Sequence, residues 1–309
     1  MCENYLIHMG RHCFTDIELL KMADTYALPS LRYEMAETRS LTLATYDYVL
    51  NLCGHDEYGA QFLGTMLFID LTFVLGMIFW SYLDLANPEW VRKYRLQDRG
   101  RNTEITKERF IKATKLSVLN ITIVTWVIHY IHFRLFKIDM TREMPGTGTA
   151  ILHMLFCIFV EDVTNYYAHR LMHHPRVYKY VHKTHHEYTA PFAMTACYTH
   201  PIEYIITLIR LLAGPTIIGA HITVFWGWMV LAQVALYIIH SGYHLPFFLS
   251  SEHHDYHHIS FNECYGSARI LDKIHGTMKT FDASARSRRH HIIFSLTPAK
   301  ELYPDDKKE

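Results

Sequence analysis

The sequence predicts an all-α membrane protein in which four or five polytopic membrane helices carry a cytosolic, histidine-rich helical cap. Three observations predict this fold. Half of the 309 residues are hydrophobic, and long apolar runs recur along the chain. Of the 23 histidines, 12 fall within two short segments, 169–186 and 240–258. Within those segments the histidines recur three and four residues apart, which is the spacing of one helix face.

Five apolar segments are candidate membrane spans, since roughly 20 apolar residues cross about 30 Å of hydrocarbon. They are Phe62–Leu83, Leu116–Phe136, Thr149–Ala168, Tyr204–Ile218 and Ile222–Ile239. We expect the last two to form a membrane hairpin around Gly214–Pro215, although its first arm is short and carries Arg210. The alternative is a soluble protein with buried apolar helices. Trp and Tyr residues near several segment ends favour the membrane.

The orientation of these spans follows from charge. Nine Lys and Arg residues lie between Arg92 and Lys115, and such enrichment marks the cytosolic side. Two further crossings return the chain to that side before His169, and the hairpin returns it again at His240. Both histidine-rich segments are therefore predicted to be cytosolic. The first thirty residues lack a basic flank followed by an apolar run, so we expect no cleavable signal peptide.

The whole chain is electrically balanced. Lys+Arg and Asp+Glu both number 30, so no overall positive field would attract a polyanion. We therefore expect no nucleic acid partner. The six cysteines contain no CxxC pair, and a chain of this size does not need a disulfide framework.

Four histidine clusters are the strongest functional signal. On helices, each cluster could direct its imidazoles to one side, where neutral rings are good metal ligands. In the first cluster, helical geometry pairs His169 with His173. However, Pro175 moves the backbone of His174 away from the α region, so His174 is an alternative. The candidate metal ligands are His169, His173, His174, His182, His185, His186, His240, His244, His254, His257 and His258.

So many imidazoles exceed the four ligands of a structural zinc site and predict two metal ions. Imidazole accepts iron, zinc, copper or nickel, so the ligands alone do not identify the metal. Nearby carboxylates could orient the ring N–H groups from outside the ligand set. The alternative for each is a solvated or helix-capping role. These carboxylates are Asp162, Glu203, Asp255 and Asp272.

The clusters resemble those of the fatty acid hydroxylase and sterol desaturase superfamily, and most of all its C-4 methylsterol monooxygenases. The similar stretches are EDVTNYYAHRLMHHPRVYKYVHKTHHEYTAPF, THPIEY, HSGY and HHDYHH. The segment beginning HSGYHLPFF also resembles fatty acid hydroxylase domain-containing relatives of those oxidases. The resemblance extends from about residue 60 to residue 280.

This resemblance implies a dioxygen-dependent oxidoreductase of the endoplasmic reticulum membrane, with two non-haem iron ions. Its substrate would be a membrane lipid, either a sterol or an acyl lipid. Electrons would come from NAD(P)H through a reductase and a b-type cytochrome. By their positions in the motifs, eight histidines correspond to metal ligands of the family: His169, His173, His182, His185, His186, His254, His257 and His258. His240 lies in the similar HSGY stretch. His200, in THPIE, matches a family histidine that is either a ligand or a neighbour of one.

His244 departs from the resemblance. Methylsterol oxidases place aspartate there, whereas fatty acid 2-hydroxylases space two histidines in this way. A fatty acid or sphingolipid hydroxylase is therefore one alternative. A sterol desaturase and a non-enzymatic regulatory relative with a structural metal site are two further alternatives. Metal transport is disfavoured because the histidines lie at span ends rather than at mid-membrane depth.

Four regions are predicted. Residues 1–58 form an N-terminal region of unknown role. Residues 59–148 contain the first spans and the basic loop. Residues 149–280 form a fatty acid hydroxylase-type catalytic domain, and residues 281–309 form a C-terminal tail.

Overall fold

The structure, a computed structural model, describes residues 44, 47, 48, 50–54, 56–97, 104–136, 138, 139 and 143–305. These residues form helices, turns and loops, with no β-strand among them. Most of the predicted N-terminal region lies outside the described residues, as does part of the basic loop. The all-α prediction is confirmed.

We number the α-helices of five or more residues in chain order. They are α1 (Glu57–Ala86), α2 (Lys107–Leu119), α3 (Thr125–Leu135), α4 (Thr147–Met172), α5 (Pro201–Ile217), α6 (Ile222–His240), α7 (Glu252–Ser260), α8 (Ile270–His275) and α9 (Ala285–Arg289). A π-helical turn, Asn120–Val124, joins α2 to α3. Further helical turns, which are four-residue α-helices or 3₁₀ segments, are Glu89–Arg92, Pro175–Tyr178, His185–Glu187, Ala193–Cys197, Lys279–Asp282 and Ala299–Leu302.

Four helical segments are long and apolar enough to cross a membrane. They are Tyr58–Ala86, Lys107–Leu135, Thr147–Met172 and Ile222–His240. Much of their apolar surface faces outward: only 11% of the apolar window of Thr147–Met172 is buried inside the protein. Apolar helices with outward-facing apolar sides suit lipid, because each helix satisfies its own backbone hydrogen bonds. The prediction of polytopic membrane helices is confirmed.

Helix α5 is the short arm of the predicted hairpin. Its 17 residues extend about 25 Å. The position predicted for the turn is wrong, because Gly214 and Pro215 lie inside α5. Gly214 instead permits close packing on α4, since a Cβ there would come within 2.8 Å of the Cys157 Cα. The turn comes later, at Gly219, which has a φ of +59°.

The helix ends place both histidine-rich segments on one side of the bundle. The Tyr243 hydroxyl donates to the carbonyl of Leu83 near the end of α1, and the Tyr188 hydroxyl donates to the carbonyl of Arg109 near the start of α2. Helices α4 and α6 both end on this side, at the histidine clusters. We call this side the cap. That the cap faces the cytosol stays a prediction.

Candidate metal centre

Nine histidines form two compact groups in the cap. In each group, one ring nitrogen per residue lies within 4.8 Å of every other. The first group is His169, His173, His182, His186 and His257, and the second is His185, His240, His254 and His258. All nine were predicted ligands.

The first group combines three parts of the chain. His169 lies in the last turn of α4, and His173 directly follows that helix. His182 and His186 come from the turns that follow, and His257 comes from α7. The Nε2 atom of His186 lies 3.0 Å from Nε2 of His182 and 3.1 Å from Nε2 of both His173 and His257. Five imidazoles therefore converge through their Nε2 atoms.

The second group converges in the same way. Nε2 of His240, the last residue of α6, lies 2.9 Å from Nε2 of His254 and 3.3 Å from Nε2 of His185. His254 and His258 are one turn apart on α7, and their Nε2 atoms are 3.1 Å apart. The geometry is again that of side chains directed at a common point.

The two groups are neighbours. The ring centroids of His186 and His258, one from each group, are 4.7 Å apart, and those of His182 and His185 are 5.3 Å apart. The segment 182–186 and helix α7 each contribute histidines to both groups. The two groups therefore form one continuous cluster, with room for two neighbouring metal ions of the kind found in two-metal sites.

The protonation of the rings can be inferred from their other nitrogen. Nδ1 of His169 lies 2.8 Å from the Tyr265 carbonyl, and Nδ1 of His257 lies 2.7 Å from the Glu263 carbonyl. Nδ1 of His240 lies 2.9 Å from the Leu236 carbonyl. A carbonyl can only accept, so Nδ1 carries the proton and Nε2 carries a lone pair.

The converging Nε2 atoms therefore cannot all hydrogen-bond to one another. Burial also opposes an added proton: it lowers the pKa of His257 to about 4 and, together with the charge of His257, that of His173 to about 2. Burial likewise lowers the pKa of His182, His185, His254 and His258 well below the ordinary value. A cation held between neutral rings would satisfy lone pairs that point at one another.

The distances fit such a cation. Imidazole binds metals such as zinc at about 2.0–2.1 Å, so two ligands at a right angle would have nitrogens about 3 Å apart. The shortest Nε2–Nε2 distances are 3.0 to 3.2 Å in the first group and 2.9 to 3.3 Å in the second, and the remaining pairs lie within 4.8 Å. Five nitrogens in the first group exceed a tetrahedral zinc shell. The residues present thus fit two metal ions.

Two predicted ligands lie outside both groups. The ring of His174 caps the turn Pro175–Tyr178 and accepts a hydrogen bond from the backbone N–H of Arg176. Nε2 of His244 donates to the His291 carbonyl over 3.0 Å. Because α6 ends at His240, His244 does not continue the helical face on which its ligand role was predicted. Of the two alternatives after α4, it is His173 that joins a group.

The helical geometry predicted for the second cluster is wrong. His182 lies in a turn, and His185 and His186 lie in a short 3₁₀ segment. The three rings therefore do not share one face. His182 and His186 enter the first group, while His185 enters the second. The spacing still brings all three into the centre, but divides them between its two halves.

Among the predicted supporting residues, only Glu203 contacts a clustered imidazole. Its Oε1 atom lies 2.9 Å from Nδ1 of His182, and both side chains are buried. Asp162 and Asp272 act one step further out, because they accept backbone N–H bonds from the loop Tyr265–Ala268. That loop supplies the carbonyl that orients His169.

Asp255 and His200 support other parts of the fold. Asp255 pairs with Arg286 over 2.7 Å rather than with a clustered imidazole. His200 caps α5 by accepting from the backbone N–H of Ile202.

A buried ion pair behind α7 was not predicted from the sequence. Arg289 is 1% exposed, and its Nε donates to Oε1 of Glu252 over 2.6 Å. Its Nη1 also donates to the carbonyl of Tyr303 and to Asp305. The pair anchors the first residue of α7, the helix that carries three clustered histidines. No local sequence signal distinguishes Arg289 from its basic neighbours.

Comparisons with known proteins agree with this centre. A family model described as fatty acid hydroxylase matches residues 154–277. Fatty acid hydroxylase domain-containing protein 2 of Homo sapiens is 34% identical over 79% of this chain and 76% of its own length. A fatty acid hydroxylase of Mycosarcoma maydis is 32% identical over 79% of this chain and 63% of its own. Methylsterol monooxygenase 1 of Rattus norvegicus is 31% identical over 61% and 68%. No solved structure matches the chain.

Proposed function

Because the chain belongs to the fatty acid hydroxylase family, we propose that it is a dioxygen-dependent monooxygenase that oxidises a C–H bond of a membrane lipid. The observation that carries the proposal is the convergence of nine imidazole Nε2 atoms in two adjacent groups at the ends of membrane helices. A 4-methylsterol is the first candidate substrate. It is supported by the similarity to methylsterol monooxygenases.

The proposed cofactor is a pair of iron ions. An unactivated C–H bond has neither an acidic proton nor a leaving group, so acid–base or nucleophilic catalysis cannot break it. Two bound iron ions would supply the redox chemistry that activates dioxygen, whereas zinc does not change oxidation state. Imidazole is a suitable ligand for iron. His169, His173, His182, His186 and His257 would hold one ion, and His185, His240, His254 and His258 the other.

The chain's own residues would prepare this chemistry in three ways. Burial keeps the histidines neutral and therefore able to bind metal. The Tyr265, Glu263 and Leu236 carbonyls fix the ring tautomers, and Glu203 holds His182. Helices α4 and α6 end at the clusters, so a lipid could reach them along the bilayer without crossing water.

A fatty acid or sphingolipid hydroxylase is the second candidate. The similarity to a fungal fatty acid hydroxylase favours it. The position of His244 does not, because the ring bonds a backbone carbonyl outside both groups. Histidine in place of aspartate at position 244 therefore leaves the set of nine clustered histidines unchanged. A 4-methylsterol remains the first candidate substrate.

We further propose that the protein resides in the endoplasmic reticulum membrane with its cap in the cytosol. The basic segment around Arg92–Lys115 supports this orientation. Electrons would come from NAD(P)H through a reductase and a b-type cytochrome on the same side. A protease-protected tag at the C-terminus in sealed microsomes would contradict the orientation.

Lipid analysis of cells lacking the protein tests the function. The cells are rescued with wild type, with His257→Ala, or with His174→Ala as a matched control outside the centre. Wild type and His174→Ala should restore a sterol that lacks its 4-methyl group, and His257→Ala should not. Restoration of a hydroxylated acyl chain instead would favour the second candidate. Equal rescue by all three variants would mean that catalysis is not the function.

A further inference from the structure

Two loops of the cap form an exposed apolar surface outside the membrane helices. Phe294 is 80% exposed, Leu296 is 67% exposed and Phe247 is 58% exposed. The backbone N–H of Phe247 donates to the Ile293 carbonyl over 3.0 Å, and the rings of Phe247 and Phe294 are 6.2 Å apart. We call this surface the apolar ridge. It consists of Phe247, Phe248, Leu249, Ile292, Phe294 and Leu296. Contiguous apolar patches of this kind mark binding surfaces.

The ridge lies beside the cap end of α1. The Tyr94 hydroxyl donates to the Leu296 carbonyl over 2.8 Å. Tyr94 follows α1 by only the short helical turn Glu89–Arg92. Its carbonyl also accepts from the backbone N–H of His244, just before the first ridge loop. The segment that follows α1 is thus hydrogen-bonded to Leu296 in one ridge loop and to His244, just before the other.

The surroundings have the composition of a membrane–water boundary. Tyr82 and Leu85 are exposed at the end of α1, and Trp90 beyond it is 58% exposed. Exposed Trp and Tyr at the end of a span are typical of the interfacial belt. Arg92 and Lys93 are exposed next to Tyr94, where their positive charges suit lipid phosphate groups.

We propose that the apolar ridge inserts into the boundary between lipid headgroups and acyl chains, as a second membrane contact of the cap. Lipid is the occupant because the ridge lies beside the cap end of a membrane helix, near exposed Trp90 and the exposed cations Arg92 and Lys93. Interfacial elements of this type bury their apolar side roughly 5–10 Å into that boundary. The proposal is independent of the metal and of the substrate.

The ridge is also tied to the histidine-rich segment. His244 donates to the carbonyl of His291, next to the ridge residue Ile292, and His244 follows the clustered His240 by one short loop. Insertion of the ridge would therefore fix the tilt of the cap over the bilayer. The metal centre would face the membrane at a constant height.

A fluorescent label tests the insertion. Cys2, Cys13 and Cys53 are replaced by serine, and the remaining three cysteines are buried. An environment-sensitive nitrobenzoxadiazole label is attached through Phe294→Cys in the full chain. The protein is reconstituted in phosphatidylcholine vesicles with phosphatidylserine. We expect emission at shorter wavelength than in water and a loss of intensity when phosphatidylcholine carries a nitroxide near its headgroup.

Glu301→Cys is the matched control, because Glu301 is exposed and polar in the same C-terminal segment. The label there should emit as in water and resist the nitroxide lipid. Phe247→Cys repeats the measurement from the other ridge loop. If the labels at 294 and 247 behave like the label at 301, the proposal is overturned. It is also overturned if they are quenched only by a nitroxide on a second copy of the protein, since the ridge would then be a dimer surface.

Discussion

Glu203 on α5 accepts a hydrogen bond from Nδ1 of His182 over 2.9 Å, and both side chains are almost fully buried. The contact links a helix of the bundle to the first histidine group. A carboxylate behind a ligating imidazole fixes the ring and makes its other nitrogen a better donor to a metal. The pair therefore leads directly to a prediction about metal affinity.

Glu203→Gln should weaken metal binding by about 10–100-fold, because the neutral amide no longer favours the required tautomer of His182. Metal titration of the purified protein measures this change. Glu187→Gln is the control, since Glu187 bonds Lys112 and Tyr198 rather than a clustered imidazole. Equal affinities for the two variants would refute the role of Glu203.

Adjacent histidines after α4 should behave differently. His173→Ala should remove metal from the first group, because its Nε2 lies 3.1 Å from Nε2 of both His186 and His257. His174→Ala should keep the metal and lose only a helix cap, at a cost of about 1 kcal/mol. Metal content and the melting temperature distinguish the two variants. Metal loss in His174→Ala would mean that the ligand assignment is reversed.

The buried pair of Arg289 and Glu252 should stabilise the cap only as a pair. Arg289→Met should destabilise the protein by about 3 kcal/mol, the lower end of the range for a broken buried pair, because the buried Glu252 carboxylate keeps only Arg286, 3.9 Å away, as a cation. Adding Glu252→Gln should recover part of this loss. Denaturation in detergent, followed for both single variants and the double variant, measures the coupling. Additive effects would show that the pair contributes nothing of its own.

Acid should destabilise the metal-free protein. The pKa of His257 is about 4 and that of His173 about 2 in the folded chain, against about 6.5 when unfolded. Above pH of about 6.5, these residues are neutral in both states and contribute no pH dependence. Below it, the unfolded chain binds protons that the folded chain cannot, so stability falls towards pH of about 4.

The melting temperature of the metal-free protein, measured between neutral pH and about pH 5, checks this expectation. A variant carrying His173→Gln and His257→Gln should lose less stability over the same range, because it lacks two of the groups that titrate only on unfolding. An equal loss in both proteins would assign the acid sensitivity to other residues.

The sequence predicted the membrane helices well because hydropathy is a local property. The predicted span Ile222–Ile239 differs from α6 by one residue. The three histidines of α7 that were predicted to point to one side, His254, His257 and His258, all lie in the two groups. His244 was predicted to be a ligand on the same helix as His240, although the sequence itself indicates that this helix ends before His244. The Ser241–Gly242 pair directly after His240 is a typical helix ending, and Gly242 indeed has a φ of +70°.

Other features of the centre could not be predicted from local sequence. The carbonyls of Tyr265 and Glu263 orient His169 and His257, but any residue has a carbonyl. Their positions depend on how the chain after α7 folds back onto α4. Likewise, the turns that divide His182 and His185 between the two groups follow from tertiary packing rather than from helix propensity.

The way in which the two groups share the chain has a consequence for biosynthesis. The first group takes four histidines from residues 169–186 but needs His257, while the second takes three from residues 240–258 but needs His185. The hairpin of α5 and α6 separates these sources. Neither metal position can be complete until the ribosome has delivered that hairpin to the membrane and synthesised α7. Loading of the proposed metals would thus be a late maturation step, and a nascent chain released before α7 would carry both halves of the centre unfinished.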